Sequence, residues 1–290
     1  MLQFKMNNKR KEIYLCSICN IQSGTCSEDC KFCTQSVKYK AKIERYRKKD
    51  IKDIINEAKI AKQNQAIGYC LVTAGAGLDD AQVEFVCEVA TAVKKVVPDI
   101  NLIGCNGIAS KDHLKELKKA GIANYNHNLE TSQNYYKQIC STHNWEDRYQ
   151  TCLNVKELGL GLLTGGIFGM GETQEDRVSM LNSINDLQPK SVPLNFFHPN
   201  KALPLTQNTL NTQEALDLVK LSRQILNNNC RIMVAGGREL IFNDRQYEIF
   251  QYGADAIVVG NYLTTKGKNS IDDIRQIKDL GHTIAKYKEI

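Results

Sequence analysis

Three cysteines, Cys26, Cys30 and Cys33, stand within eight residues in SGTCSEDCKFCTQS, a C-x-x-x-C-x-x-C spacing. Thiolates are soft ligands suited to zinc and to iron–sulfur clusters. A closed iron–sulfur cube in an electron carrier takes four of them, and bacterial ferredoxins use a tighter C-x-x-C-x-x-C run. A cube held by three thiolates keeps one iron with an open position. Open metal positions are where chemistry occurs, as the contrast between catalytic and structural zinc sites shows. The alternative is a structural zinc knuckle. Zinc sites favour paired ligands, and no C-x-x-C or H-x-H follows the loop at finger distance; Cys16 and Cys19 precede it, closer than the ~15–20 residues of a zinc ribbon. The spacing favours the cluster.

The chain has eleven cysteines, many for a protein expected in the cytoplasm, where disulfides are rare, so metal or redox chemistry leads. Not all need it: Cys87, Cys140 and Cys152 fall in apolar helical stretches and are expected to be inert packing residues. The first residues, MLQFKMNNKRKE, lack the apolar core of a signal peptide, and no run approaches the ~20 apolar residues of a membrane span. A net charge of +6 is spread over helix-like segments without aromatic interleaving, which argues against nucleic acid. A cytoplasmic location, no membrane and no nucleic acid are therefore expected.

Something must hold that loop. Along the 290 residues, eight β-rich runs alternate with amphipathic segments: 12–19, 66–75, 100–105, 123–130, 160–169, 191–197, 230–237 and 256–263. Asn211 and Glu214 have the spacing of a helix N-cap with a capping-box partner. Eight strands each followed by a helix is the period of a (β/α)8 TIM-type barrel, whose active site lies at the C-terminal ends of the strands. The expected organisation is α/β, one domain over 1–290, with 1–12 a flexible N-terminal segment. The cysteine loop directly follows the first strand, so it would sit over the barrel mouth.

With the cysteine loop and YNHNLETS (Tyr125 to Ser132) both in view, together with GGIFGMGET, SVPLNFF, AGGRE and YLTT, the chain resembles the biotin synthase family of the radical S-adenosylmethionine (SAM) superfamily, from about Ile13 to Thr265. The resemblance implies that Cys26, Cys30 and Cys33 hold a 4Fe–4S cluster whose open iron binds SAM. Phe32 stands where the family has an aromatic residue beside the cofactor. Asn128 and Glu130 fall where the SAM ribose is hydrogen-bonded. Gly165, Gly166 and Ile167 resemble the strand that lets the cofactor approach the backbone, and Asn126 and Asn195 fall where the ureido ring of dethiobiotin is met. The implied reaction is reductive cleavage of SAM to a 5′-deoxyadenosyl radical, hydrogen abstraction from dethiobiotin, and sulfur transfer from a second iron–sulfur cluster. A reducing flavoprotein or ferredoxin as electron donor and a homodimer are implied with it. His127 is the histidine to watch, with core packing an equal reading of its place on the strand. Two other readings stay open: a barrel-type radical SAM enzyme acting on an amino-acid-derived substrate, and a non-catalytic iron–sulfur sensor or electron carrier.

The chain departs from the family where the second cluster is held. The family uses three cysteines and an arginine for a 2Fe–2S centre. Cys70 matches the first position, but the others fall on Ile103, Leu163 and Met233. Cys105 lies two residues beyond Ile103, on the same face of its strand because side chains alternate. Cys16 and Cys19 lie on the neighbouring first strand. Cys16, Cys19, Cys70 and Cys105 are thus expected to hold a second cluster, 2Fe–2S or four-iron, with Cys230 in reserve beside Arg231. The odd separation of Cys16 and Cys19 requires a bulge or an early strand end to bring both inward.

Overall fold

The computed structural model describes residues 10–263 and 267–287. Its strands are β1 (Glu12–Gln22), β2 (Gly68–Thr73), β3 (Asn101–Cys105), β4 (Ile122–Asn126), β5 (Gly161–Leu163), β6 (Gly166–Phe168), β7 (Ser191–Phe196), β8 (Arg231–Val234), β9 (Ala256–Val258) and a short β10 (Thr283–Ile284). The helices are α1 (Ile51–Gln63), α2 (Asp80–Val96), α3 (Lys111–Lys119), α4 (Tyr136–Ile139), α5 (Trp145–Glu157), α6 (Gln174–Asp186), α7 (Thr212–Ile225), α8 (Arg238–Phe242), α9 (Ile249–Tyr252) and α10 (Ser270–Asp279). All strand pairings are parallel, in the order β1-β2-β3-β4-β5-β7-β8-β9, and β9 pairs back onto β1. The sheet is a closed (β/α)8 barrel, as expected from the alternation of runs, and not an open doubly wound sheet.

The fifth run, expected as one strand, is split into β5 and β6. Between them the Gly165 carbonyl turns to accept N–H bonds from Leu129 (2.9 Å) and Glu130 (3.3 Å). A Cβ at Gly165 would lie 1.9 Å from the Pro193 carbonyl oxygen, so the break is open to glycine alone.

Alternation along each strand makes two cores. On β1, Ile13, Leu15, Cys19 and Ile21 face the helices, while Cys16 faces the barrel interior among Cys70, Val72, Ile103, Leu163 and Met233. Helix α2 covers the outside with Val83, Val86, Val89, Ala90 and Val93, all fully buried. Four helices start in complete capping boxes, among them α7 at Asn211 and Glu214 as expected. Each cap contributes about 1 kcal/mol.

The closing seam is locked by Arg238, from the AGGRE motif, which is completely buried. Its guanidinium donates two 2.9 Å bonds to the Asp273 carboxylate of α10 and a 2.7 Å bond to Gln246. Of the segment expected to be flexible, residues 1–9 lie outside the described residues, and Glu12 already pairs with Thr283. Thr264 and Thr265 of the YLTT motif are also outside them. No described helix is long and apolar enough to cross a membrane.

Candidate functional site

The loop after β1 folds back on itself: Ser23 and Tyr46 exchange backbone bonds, and Cys26 pairs with Ser36. Inside it, the Cys33 N–H donates to the Cys30 carbonyl (3.0 Å), a tight turn that brings the second and third cysteines together. Asp29 staples the loop to the segment after α4, accepting from the Ser141 N–H (2.9 Å), the Thr142 N–H (3.2 Å) and the Ser141 and Thr142 hydroxyls. Cys26 and Cys30 are buried and Cys33 half-buried. Burial pushes the Cys33 thiol up to about 11 and raises Cys26 as well; Cys30 is raised first by its hydrogen bond to Cys140 and then by burial. Protonated thiols in a dry pocket are poor nucleophiles, yet they become good ligands once a metal displaces their protons. Three such donors fit a cube with one uncovered iron. Phe32 is half-buried against the outer core.

At the mouth, Asn126 ends β4 and the chain runs on through Asn128 to Glu130. Arg148 of α5 ties this stretch down, donating to the Asn128 carbonyl (2.7 Å) and standing 3.5 Å from the Glu130 carboxylate. Asn128 also donates to Glu130 (3.4 Å). Glu130 is a non-glycine residue with φ 68°, a left-handed conformation that costs of order 1 kcal/mol or more and gathers at functional sites. Burial raises its carboxyl pKa, with Arg148 opposing. The side-chain oxygens of Asn126 and Asn128 are buried without a hydrogen-bond partner, as an acceptor awaiting a polar ligand would be. These orphaned acceptors beside a carboxylate fit a molecule bearing hydroxyl and N–H donors, such as a nucleoside or a cyclic urea.

Other expected residues serve the protein's own packing. A Cβ at Gly166 would lie 2.2 Å from Met180 Sδ and 2.8 Å from the Glu130 carbonyl oxygen, so here, as at Gly165, the missing side chain makes room for neighbouring protein. Ile167 donates its N–H to the Glu130 carbonyl (2.8 Å), joining β6 to the mouth. Asn195 bridges two backbones, donating to the Gly166 carbonyl (3.2 Å) and accepting from the Gly236 N–H (2.9 Å). His127 is buried, and burial followed by the charge of Arg148 lowers its pKa well below the ordinary value, so it stays neutral.

Below the mouth, Cys16, Cys70 and Cys105 converge inside the barrel. Cys70 pairs in register with Ile18 and Ile103, and Cys105 with Val72, so the thiols rise stepwise from β1 to β3. The mutual interaction of Cys70 and Cys105 is the largest cause both of the raised Cys70 pKa and of the lowered Cys105 one. Asn126 donates to Cys105 (3.4 Å), linking the inner thiols to the mouth. Burial pushes Cys16 up to about 12. Cys16 lines a cavity of about 90 Å³ together with Ile103, Leu163 and Met233, the positions at which the family's usual ligands are missing.

Cys19 does not join this set. It points outward and donates to Glu57 of α1 (3.1 Å). The register shift that could have turned it inward falls between Asn20 and Gln22, beyond Cys19, so residues 16 and 19 alternate regularly. Cys230 belongs to the outer core, and Arg231 stacks on Tyr14 (4.0 Å to the ring centre) at the opposite end of the barrel from the mouth. Arg148 and Arg238 escaped the sequence reading because a lone arginine in a helical stretch or a turn carries no spacing signal. Cys140, expected to be inert, lies beside Cys30 (Sγ–Sγ 3.7 Å).

Residues 20–184 match the Radical SAM superfamily, and residues 193–283 the Biotin and Thiamin Synthesis associated domain. The chain is 65% identical over 274 residues to a biotin synthase of Aliarcobacter butzleri, covering 94% of this chain and 97% of that one. It is 54% identical over 280 residues to a biotin synthase of Sulfurimonas denitrificans, covering 97% and 99%. This chain belongs to the biotin synthase family. Solved structures share the fold at low identity: methylornithine synthase (TM-score 0.77, 19% identical, covering 95% of this chain and 84% of that one) and an FeFe-hydrogenase maturase of Carboxydothermus hydrogenoformans (TM-score 0.82, 16% identical, covering 97% and 70%). Strands from both matched regions build the single barrel of this biotin synthase family member.

Proposed function

We propose that this chain converts dethiobiotin to biotin by radical sulfur insertion, with a SAM-binding 4Fe–4S cluster on Cys26, Cys30 and Cys33 and a second iron–sulfur cluster on Cys16, Cys70 and Cys105. The observation that carries the reading is the presence of two thiol sets, a trio in the loop after β1 and a strand trio packed inside the barrel. When bound, the first cluster and SAM supply reductive cleavage and hydrogen abstraction, and the second supplies sulfur. The protein binds, orients and keeps water out. Glu130 and Asn128 meet the ribose hydroxyls of SAM, and the unpaired oxygen of Asn126 accepts from the ureido N–H of dethiobiotin. Val72, Ile103, Leu163, Met233 and Val258 wall the interior with apolar side chains, which limits the water a radical there would meet. His127 acts in packing. The inner sulfurs are not all within 4.8 Å of one another, a spread that suits a cluster with several iron corners better than a single ion. One domain, a homodimer and a flavoprotein or ferredoxin electron donor complete the proposal. The test is anaerobic reconstitution with iron and sulfide, reduction, and mass detection of biotin from dethiobiotin. Release of 5′-deoxyadenosine with both clusters loaded and no biotin formed would reject sulfur insertion.

A further inference from the structure

The cluster loop has a second thiol neighbour that the reaction does not use. Cys140, just after α4, places its Sγ 3.7 Å from Cys30 Sγ, and the ring nitrogens of His143 lie 3.4 Å (Nδ1) and 3.8 Å (Nε2) from Cys140 Sγ. Among the described residues, Cys30, Cys140 and His143 are the one set of potential metal ligands whose donor atoms all fall within 4.8 Å of one another. The Cys30–Cys140 and Cys140–His143 separations are those of two edges of a tetrahedral zinc site. Zinc–sulfur bonds of ~2.3 Å place two thiolates ~3.8 Å apart, and a zinc–nitrogen bond of ~2.0 Å places the nitrogen ~3.6 Å from each sulfur.

The surroundings orient the ligands. His143 Nδ1 lies 2.8 Å from the Glu28 carboxylate. A ring that donates Nδ1–H to a carboxylate presents Nε2 to a metal, the usual outer arrangement of a zinc-bound histidine. Asp29, bonded to Ser141 and Thr142, holds the Cys30 loop against the segment carrying Cys140 and His143. Arg148 is the cation facing the set, 3.4 Å from Nε2, and its bonds to Tyr136 (2.6 Å) and the Asn128 carbonyl keep it in place when Nε2 turns to a metal. Two thiolates cancel the charge of a divalent ion, so Arg148 would face a neutral complex.

We propose that Cys30, Cys140 and His143 form a site for a thiophilic divalent cation of the zinc type, mutually exclusive with the SAM cluster because both need Cys30. The exclusion rests on Cys30 being a cluster ligand; the zinc site does not. Binding replaces the S–H bond that Cys30 donates to Cys140 with a metal–sulfur bond at each sulfur and releases the protons the two sulfurs carry, with no change of oxidation state. In the cell such an ion would hold the loop folded before the cluster arrives and would block its assembly when zinc is in excess.

The experiment uses the full-length protein, stripped of iron, reduced and anaerobic, titrated with Zn²⁺ against a chromogenic chelator and with Co²⁺ as a visible stand-in. One equivalent should bind, and Co²⁺ should show the thiolate charge-transfer and tetrahedral bands of a sulfur-containing site. Cys140→Ser and His143→Gln should each weaken zinc binding tenfold or more yet take up the same iron as the parent protein when zinc is withheld, which also shows that they fold. Bound zinc should slow iron uptake in the parent protein and not in Cys140→Ser. Zinc affinity unchanged in both variants would put the ion on Cys26, Cys30 and Cys33 and overturn the site. Zinc and a full iron complement bound together would overturn the exclusion. Cys30→Ser separates the failures: loss of zinc with iron retained would reject Cys30 as a cluster ligand and leave the zinc site standing.

Discussion

Cys26, Cys30 and Cys33 belong to one loop, held by its own backbone bonds and by the Asp29 staple. Cys16, Cys70 and Cys105 come from three strands and meet only because the barrel closes and their registers align. The two sets also differ in surroundings. The loop set sits among Glu28, Asp29, His143 and Arg148, while the inner set is walled by Ile103, Leu163 and Met233. A polar, half-open rim can admit a charged cofactor; an apolar shaft can hold sulfur and shield a radical. The difference teaches that one fold can assemble one thiol set by a local motif and another by tertiary register.

The largest effect that would sharpen this contrast is Cys30→Ser. It should abolish both 5′-deoxyadenosine release and biotin formation and remove the loop cluster's iron, read by iron analysis and by the reduced protein's paramagnetic resonance with and without SAM. Next, Cys70→Ser and Cys105→Ser should spare SAM cleavage but reduce biotin to background, with loss of the second cluster's iron, whereas Cys19→Ser should leave both intact. Full iron and sulfide in anaerobically reconstituted Cys16→Ser and Cys105→Ser proteins would break the contrast altogether.

A smaller effect concerns closure. Asp273→Ala takes the fully buried carboxylate from the Arg238 guanidinium and leaves it only the less buried Glu239, at a cost of up to about 3–5 kcal/mol. A lowered thermal midpoint by circular dichroism checks this; an unchanged one would show that the seam is held elsewhere.

The smallest is a pH effect on the loop. Burial pushes the Asp29 carboxyl up, but hydrogen bonds from Ser141, Cys140 and Thr142 outweigh it and hold the group well below the usual carboxylate range. A depressed folded pKa means the staple stabilises fully above the unfolded value and is lost as pH falls from about 4 toward the folded value. The midpoint of the parent protein should therefore exceed that of Asp29→Asn at neutral pH, and the gap should close in acid. A gap independent of pH would assign the staple to shape alone.

The loop trio, the barrel and the capping box of α7 were legible in sequence because each is a short-range pattern: fixed spacing, alternation, or a cap three residues from its partner. Cys105 was legible too, since a two-residue shift along a strand preserves its face. Cys19 was not. Whether a bulge falls before or after it depends on the pairing of β1 with β2, which is a property of two strands. Cys140 read as packing because its own stretch is apolar, and only the return of the chain after α4 brings it against a loop 110 residues earlier.

By itself, then, the sequence determined the strand-and-helix rhythm and the three-thiol loop, because local sterics, alternation and ligand spacing need no distant partner. Tertiary structure alone decided which other sulfurs face inward, that Arg148 anchors the mouth, and that Cys30 has a second thiol beside it. Register, barrel closure and the meeting of segments far apart in the chain are set by packing across the whole fold, and no window of the sequence contains them.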